Sequence, residues 1–261
     1  TGAHLYSLAA KDIKRVSLEL GGKSPNIVFD DANLDNAVRG VVGGIFGAVG
    51  QTCIAGSRLL VHRKVQDQFL EKLMAFTKTA RIGDPRHADT RIGPIANSMQ
   101  YEKVLGYIDV AVQEGADLVL GGKRPDIAEC EAGYFVEPTI FAGVNNEMRI
   151  AREEVFGPVL ATIAFDEPEE AVAIANDSEF GLAAGVWTAD MRRAILMSER
   201  LEAGSVWVNT YRDVSYTTPF GGYKKSGIGR ENGIEGIREF LQTKAVWLST
   251  AEEIANPFVI G

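Results

Sequence analysis

Apolar residues recur along this chain in two rhythms. In "KRVSLEL", residues 14–20, they alternate, with Val16, Leu18 and Leu20 on one side, and the period of two predicts a strand. Over residues 65–81 they repeat at threes and fours, through Val65, Phe69, Leu73, Phe76 and Ala80, which predicts an amphipathic helix. Tyr101, Val104, Ile108 and Ala111 mark another helix, closed near Gly115. Asn33 or Asp35 is placed to cap a helix running toward Gly50. Between these segments lie short strands: "SRLLVHR" (57–63), "ADLVLGG" (116–122) and "YFVEPTIF" (134–141). "PVLATIAF" (158–165) is continuous enough for a strand buried on both faces. A helix over 168–176, a strand "AAGVWT", a helix over 191–202 and a strand over 205–209 follow. Then come a glycine-rich loop (218–233), a helix over 233–241 and a last strand, "TKAVWLS" (243–249).

This alternation predicts an α/β fold, an open parallel sheet covered by helices. No internal repeat or low-complexity segment interrupts it, and the tail after Ala251 is expected to be loosely ordered. Residues 40–57 carry no charge, but they include six glycines together with Gln51 and Thr52, so a buried helix and loop suit them better than a membrane span.

Composition narrows the function classes. A net charge of −8 and a pI near 5.1 argue against nucleic acid, which needs clustered Lys and Arg. Two cysteines, Cys53 and Cys130, are too few for a disulfide framework and fit a reducing cytoplasm. No secretory signal opens the chain; it begins at Thr1, which fits a processed product or a piece of something longer. No run of Cys, His, Asp and Glu has metal-ligand spacing.

Cys53 lies in "FGAVGQTCIAGSR", where a helical pattern breaks before a strand, and functional residues favour such junctions. A free cysteine is otherwise a small core hydrophobe. None of the three histidines, His4, His62 and His87, sits in a context suggesting a Cys–His pair. Glu19, in "SLELGGKSP", is the better partner: a strand-end glutamate would lie at the carboxyl end of a parallel strand, where open α/β sheets place their sites. Its plain alternative is an exposed strand-end carboxylate. "EEVFGPV" (153–159) is either a solvated turn or a carboxylate for ribose hydroxyls beside Phe156. "SGIGREN" lacks the strand and G-x-G-x-x-G spacing of a dinucleotide fingerprint and is rejected as one.

Together these stretches resemble the NAD(P)-dependent aldehyde dehydrogenases. "LELGGKSP" resembles that family's glutamate motif, with Glu19 on its catalytic base, and "GQTC" its cysteine motif, with Cys53 on its nucleophile. "EEVFGPV" resembles a third motif, placing Glu154 on the residue that holds the nicotinamide ribose and Phe156 beside it. "PFGGYKKSGIGREN" resembles a fourth, with Phe220 lining the substrate tunnel, and Asn209 and the final strand also fit. The resemblance implies NAD or NADP as cofactor, a small aldehyde as substrate and a homo-oligomer or a pairing with an N-terminal half. It implies thiol attack to give a thiohemiacetal, hydride loss to give a thioester, and hydrolysis with Glu19 as base. The Cys53 N–H would form half of an oxyanion hole.

Family members are nearly twice as long. The resemblance therefore divides the chain into a remnant of the cofactor-binding domain (1–21), a catalytic domain (22–238) and an oligomerisation strand with tail (239–261). It also leaves two other functions open. One is a cofactor-independent thiol esterase using Cys53 and Glu19. The other is a non-catalytic truncated subunit that associates through its sheet edge. "NTYRDVSY" (209–216) is expected at the pocket mouth, where Tyr211 and Tyr216 hint at aromatic or apolar substrates.

Overall fold

The computed structural model describes residues 1–254 and 256–259. The elements run in the order α1 (Gly2–Lys11), β1 (Leu18–Glu19), β2 (Pro25–Val28), α2 (Leu34–Phe46), β3 (Arg58–His62), α3 (Gln66–Thr77) and α4 (Ser98–Gln113). Next are β4 (Asp117–Leu120), β5 (Thr139–Ala142), α5 (Arg149–Arg152), β6 (Val159–Phe165), α6 (Pro168–Asn176), β7 (Phe180–Gly181), β8 (Ala183–Trp187) and α7 (Met191–Arg200). The last are β9 (Ser205–Val208), β10 (Tyr223–Lys224), β11 (Gly227–Ile228) and α8 (Gly233–Glu239).

Seven strands form one sheet in the order β4-β5-β6-β3-β2-β8-β9. Every pair is parallel except β4–β5. Parallel neighbours need crossover connections, and helices supply them, so both faces of the sheet are covered. Ile27, Val28, Leu59, Leu60 and Val61 on the central strands are fully buried. Asn33 caps α2 by accepting a hydrogen bond from Asn36 N–H. The uncharged run over 40–57 divides into the end of α2, a tight turn and a loop. No helix among the described residues is long and apolar enough to cross a membrane.

Two expectations need correction. Only Leu18 and Glu19 of the segment 14–20 are in a strand, and they pair antiparallel with β11, outside the main sheet. The alternation is present, but the earlier residues have no neighbouring strand to bond among the described residues. Residues 243–249 form no strand either: Val246, Trp247 and Leu248 are exposed and meet no ladder partner. An apolar alternation specifies a face to be covered, and nothing among the described residues covers it.

Candidate active site

The turn that carries Cys53 is built from an unusual backbone. After α2, Ala48, Val49 and Gly50 all have positive φ, at 52°, 59° and 69°. The left-handed region costs a non-glycine residue about 1–2 kcal/mol, so Ala48 and Val49 are held there by their surroundings. Gly50 is required: a Cβ there would lie 2.0 Å from the carbonyl oxygen of Gly157. That contact seats the cysteine loop on the loop containing Glu154 and Phe156. Gln51 adds a second tie by accepting a hydrogen bond from Ala96 N–H at 2.9 Å.

Glu154 is tied in turn to the loop after Glu19. Gly22 N–H donates to Glu154 Oε1 at 2.9 Å. A Cβ on Gly21 would strike Glu154 Oε2 at 2.5 Å, and one on Gly22 would strike the Cys53 carbonyl oxygen at 2.5 Å. The two glycines of "LELGGKSP" therefore permit a three-way approach of backbone, cysteine loop and carboxylate. The adjacent Glu153 is held apart: Arg149 and Tyr107 bond its carboxylate and keep it down at about 2. Its role is structural, whereas Glu154 Oε2 accepts no hydrogen bond among the described residues.

All three site segments enter the main sheet at the amino ends of neighbouring parallel strands. The Gly21–Gly22 loop leads into β2, the Cys53 loop into β3 and the Glu154–Phe156 loop into β6. Glu19 is thus not at the carboxyl end of a parallel strand, as expected from the open-sheet rule. It lies on β1, held by the C-terminal glycine motif: Glu19 pairs with Gly227, and Leu20 N–H donates to Ser226 O at 3.0 Å. Gly227 allows this pairing, since a Cβ there would lie 2.1 Å from the Leu18 carbonyl oxygen.

Both oxygens of Glu19 are buried without a hydrogen-bond partner among the described residues. Burial and the negative charge of Glu231 push its carboxyl up to about 7, against an opposing pull from Arg230. Burial also pushes the Cys53 thiol up, as do the charges of Glu19 and Glu154, while the Ile54 and Cys53 N–H groups act in the other direction. Cys53 is half-buried, and Cys130 is fully buried and remote in sequence from these motifs.

Phe156, two residues after Glu154, has φ 58°, and its carbonyl accepts from Gln100 Nε2 at 2.9 Å. Phe220 stands further off. It bridges Glu231 through paired backbone hydrogen bonds and helps line a cavity of about 450 Å³ with Trp207, Val214 and Pro219. None of Cys53, Glu19, Glu154 or Phe156 lines that cavity. The link to the site is the next residue, Gly221, where a Cβ would lie 2.9 Å from Glu19 Oε1.

Two cations beside the site are not evident from spacing. Lys23 is buried, with no partner for Nζ among the described residues, and burial with the neighbouring Arg58 charge pulls it down to about 7. Arg58, 1% exposed, donates to Lys23 O, Asn146 Oδ1 and the carbonyls of Ile174 and Ala175 at 2.7–3.0 Å. It fastens the Gly21–Lys23 loop to the last turn of α6. The signal available in the sequence was the charge itself, standing at the head of an apolar strand.

For a cofactor, the fit is local. A carboxylate with one oxygen anchored and the other open, cradled by Gly21, suits the vicinal hydroxyls of a ribose, with the half-buried Phe156 close by.

Comparison with known proteins agrees with these motifs. The model of the aldehyde dehydrogenase family matches residues 1–246. A betaine aldehyde dehydrogenase of Mesorhizobium japonicum is 46% identical over 258 residues, covering 99% of this chain and 53% of that protein. The crystal structure of an NAD-dependent aldehyde dehydrogenase from Sinorhizobium meliloti superimposes with a TM-score of 0.95 at 44% identity, over 99% of this chain and 50% of that one. A betaine aldehyde dehydrogenase from Staphylococcus aureus in complex with NAD+ gives a TM-score of 0.95 at 41% identity, over 98% and 51%. The chain spans about half the length of the curated relatives it matches.

Proposed function

Because this chain belongs to the aldehyde dehydrogenase family, we propose that its site serves the oxidation of an aldehyde to a carboxylic acid, with Cys53 as nucleophile and Glu19 as base. The observation that carries the reading is the Gly22–Glu154 hydrogen bond together with the Gly50–Gly157 contact. They fasten the loop of a thiol, the loop after a partnerless carboxylate and a ribose-suited carboxylate to one another.

Cys53 adds to the aldehyde carbonyl, forming a C–S bond while its proton leaves to a base. Its own N–H stabilises the oxygen anion that develops. Glu154 would hold the nicotinamide ribose with Phe156 alongside. NAD or NADP, when bound, supplies the hydride acceptor. Glu19 then takes a proton from water as that water attacks the Cys53 thioester, and the thiolate leaves as the acid is released. Phe220 is proposed to line the substrate's path.

A second reading, cofactor-independent thiol esterase activity, is favoured by one observation: Glu19, raised to about 7 with both oxygens free, needs no cofactor to serve as base. We further propose self-association through the exposed Val246–Leu248 stretch and a cytoplasmic location, which suits two free cysteines.

Calorimetric titration with NAD tests the oxidoreductase reading. Saturable binding that weakens in Glu154→Ala supports it. A folded protein that binds no NAD overturns it and leaves the esterase reading.

A further inference from the structure

We propose that Arg212 selects aldehydes whose far end carries a carboxylate, an inference that rests on Cys53 being the nucleophile. Tyr211 donates its hydroxyl to the carbonyl of Ile54, the residue after Cys53, at 3.0 Å. Arg212, next in the chain, donates Nη1 to the Gly43 carbonyl at 3.2 Å, in the last turn of α2. It also occupies the space over Gly47, where a Cβ would come within 2.4 Å of Nη1. Gly47 opens the turn that leads to Cys53. The Tyr211–Arg212 pair therefore contacts the chain on both sides of the nucleophile.

The backbone that carries this guanidinium is anchored on both sides. Asn209, at φ 55°, exchanges side-chain hydrogen bonds with the backbone of Thr188, and Trp207 Nε1 donates to Asp213 O at 2.8 Å. Arg212 itself has φ 68°, a conformation kept because both flanks are anchored.

Glu19 and Glu154 both place negative charge on Cys53. An anionic substrate would be repelled unless a positive group offset that field. Arg212 is half-buried and forms no ion pair among the described residues; the neighbouring Asp213 carboxylate is bonded to the Thr210 hydroxyl. One N–H of Arg212 is used on Gly43. The rest of the planar fork matches the two oxygens of a carboxylate. The plain alternative is a cation that only caps the negative end of α2. The two roles differ in what they do to charge selectivity at the Cys53 sulfur.

Iodoacetate and iodoacetamide are nearly the same size and differ in charge. Each alkylates a thiol by forming a C–S bond and releasing iodide. Rates at Cys53 are read by mass spectrometry of its peptide in the wild-type chain, Arg212→Gln and Arg212→Lys. The ratio of the two rates cancels differences in thiol ionisation and in folded fraction. It is expected to fall about fivefold in Arg212→Gln and to stay within about twofold of wild type in Arg212→Lys. An unchanged ratio in Arg212→Gln, with Cys53 still alkylated, overturns the proposal and leaves a helix cap. If neither reagent modifies Cys53 in the wild type, the nucleophile reading beneath it falls as well.

Discussion

A Cβ on Gly50 would lie 2.0 Å from the carbonyl oxygen of Gly157, and Gly50 has φ 69°. One residue thus meets two demands that exclude any other side chain: a left-handed backbone and direct contact with the loop of Glu154. Gly50→Ala is expected to destabilise the fold by about 2–4 kcal/mol, from backbone strain plus overpacking. Gly43 in α2 is the control, because nothing lies within 4 Å of its Cβ position. Gly43→Ala should stabilise by up to about 1 kcal/mol. Urea denaturation of both variants checks this, and equal effects would contradict it.

Arg58 should be among the most sensitive positions outside the reacting groups. Replacing it with Met strands the carbonyls of Lys23, Ile174 and Ala175 in a buried setting. A loss of about 3–5 kcal/mol is expected. Arg58→Lys keeps the charge but not the fork and should recover only part of it. Thermal unfolding of the two variants measures the difference.

The raised carboxyl of Glu19 gives a signed pH dependence. Its folded value, about 7, exceeds the model-compound value of 4.5, so between these values the folded state keeps a proton that the unfolded state releases. The contribution of Glu19 to stability is therefore greatest below 4.5 and is lost as pH rises toward 7. Glu19→Gln should gain on wild type in urea midpoint at pH 8 relative to pH 5. An equal gap at both values would contradict the burial argument.

The same group, as the proposed base, is expected to set the pH profile of turnover. Release of acid from an acylated Cys53 should rise as pH passes through about 7, where Glu19 becomes a free base. Glu19→Gln should slow release by about 10²–10⁴-fold and flatten that rise. Stopped-flow measurement of the deacylation step alone separates this effect from ionisation of the thiol.

The sheet was legible because its strands are buried on both faces: the apolar run over 158–165 and the residues around Leu59–Val61 left little else to form. The helix cap at Asn33 and the breaks around Gly50 were legible for the same local reasons. What failed depended on partners. Residues 14–17 and 243–249 alternate correctly but have no neighbouring strand among the described residues, and alternation cannot say whether one exists. Of the two grounds for Glu19, the motif and the strand-end position, the second fails, since Glu19 sits on a short antiparallel strand fixed by Gly227, some two hundred residues away in the chain. Arg58 stands out as a charge at the head of an apolar strand, but its burial depends on carbonyls from α6 more than a hundred residues on, which local sequence does not reveal.

The most direct test concerns Cys53 itself. The protein is mixed with 4-nitrophenyl acetate, quenched in acid and digested, and the acetyl group is located by mass spectrometry. The expected result is acetylation at Cys53, transient in wild type, accumulating in Glu19→Gln and absent in Cys53→Ser. Acetylation elsewhere, or none at Cys53 in a folded chain, would contradict the assignment of Cys53 as nucleophile and Glu19 as its base.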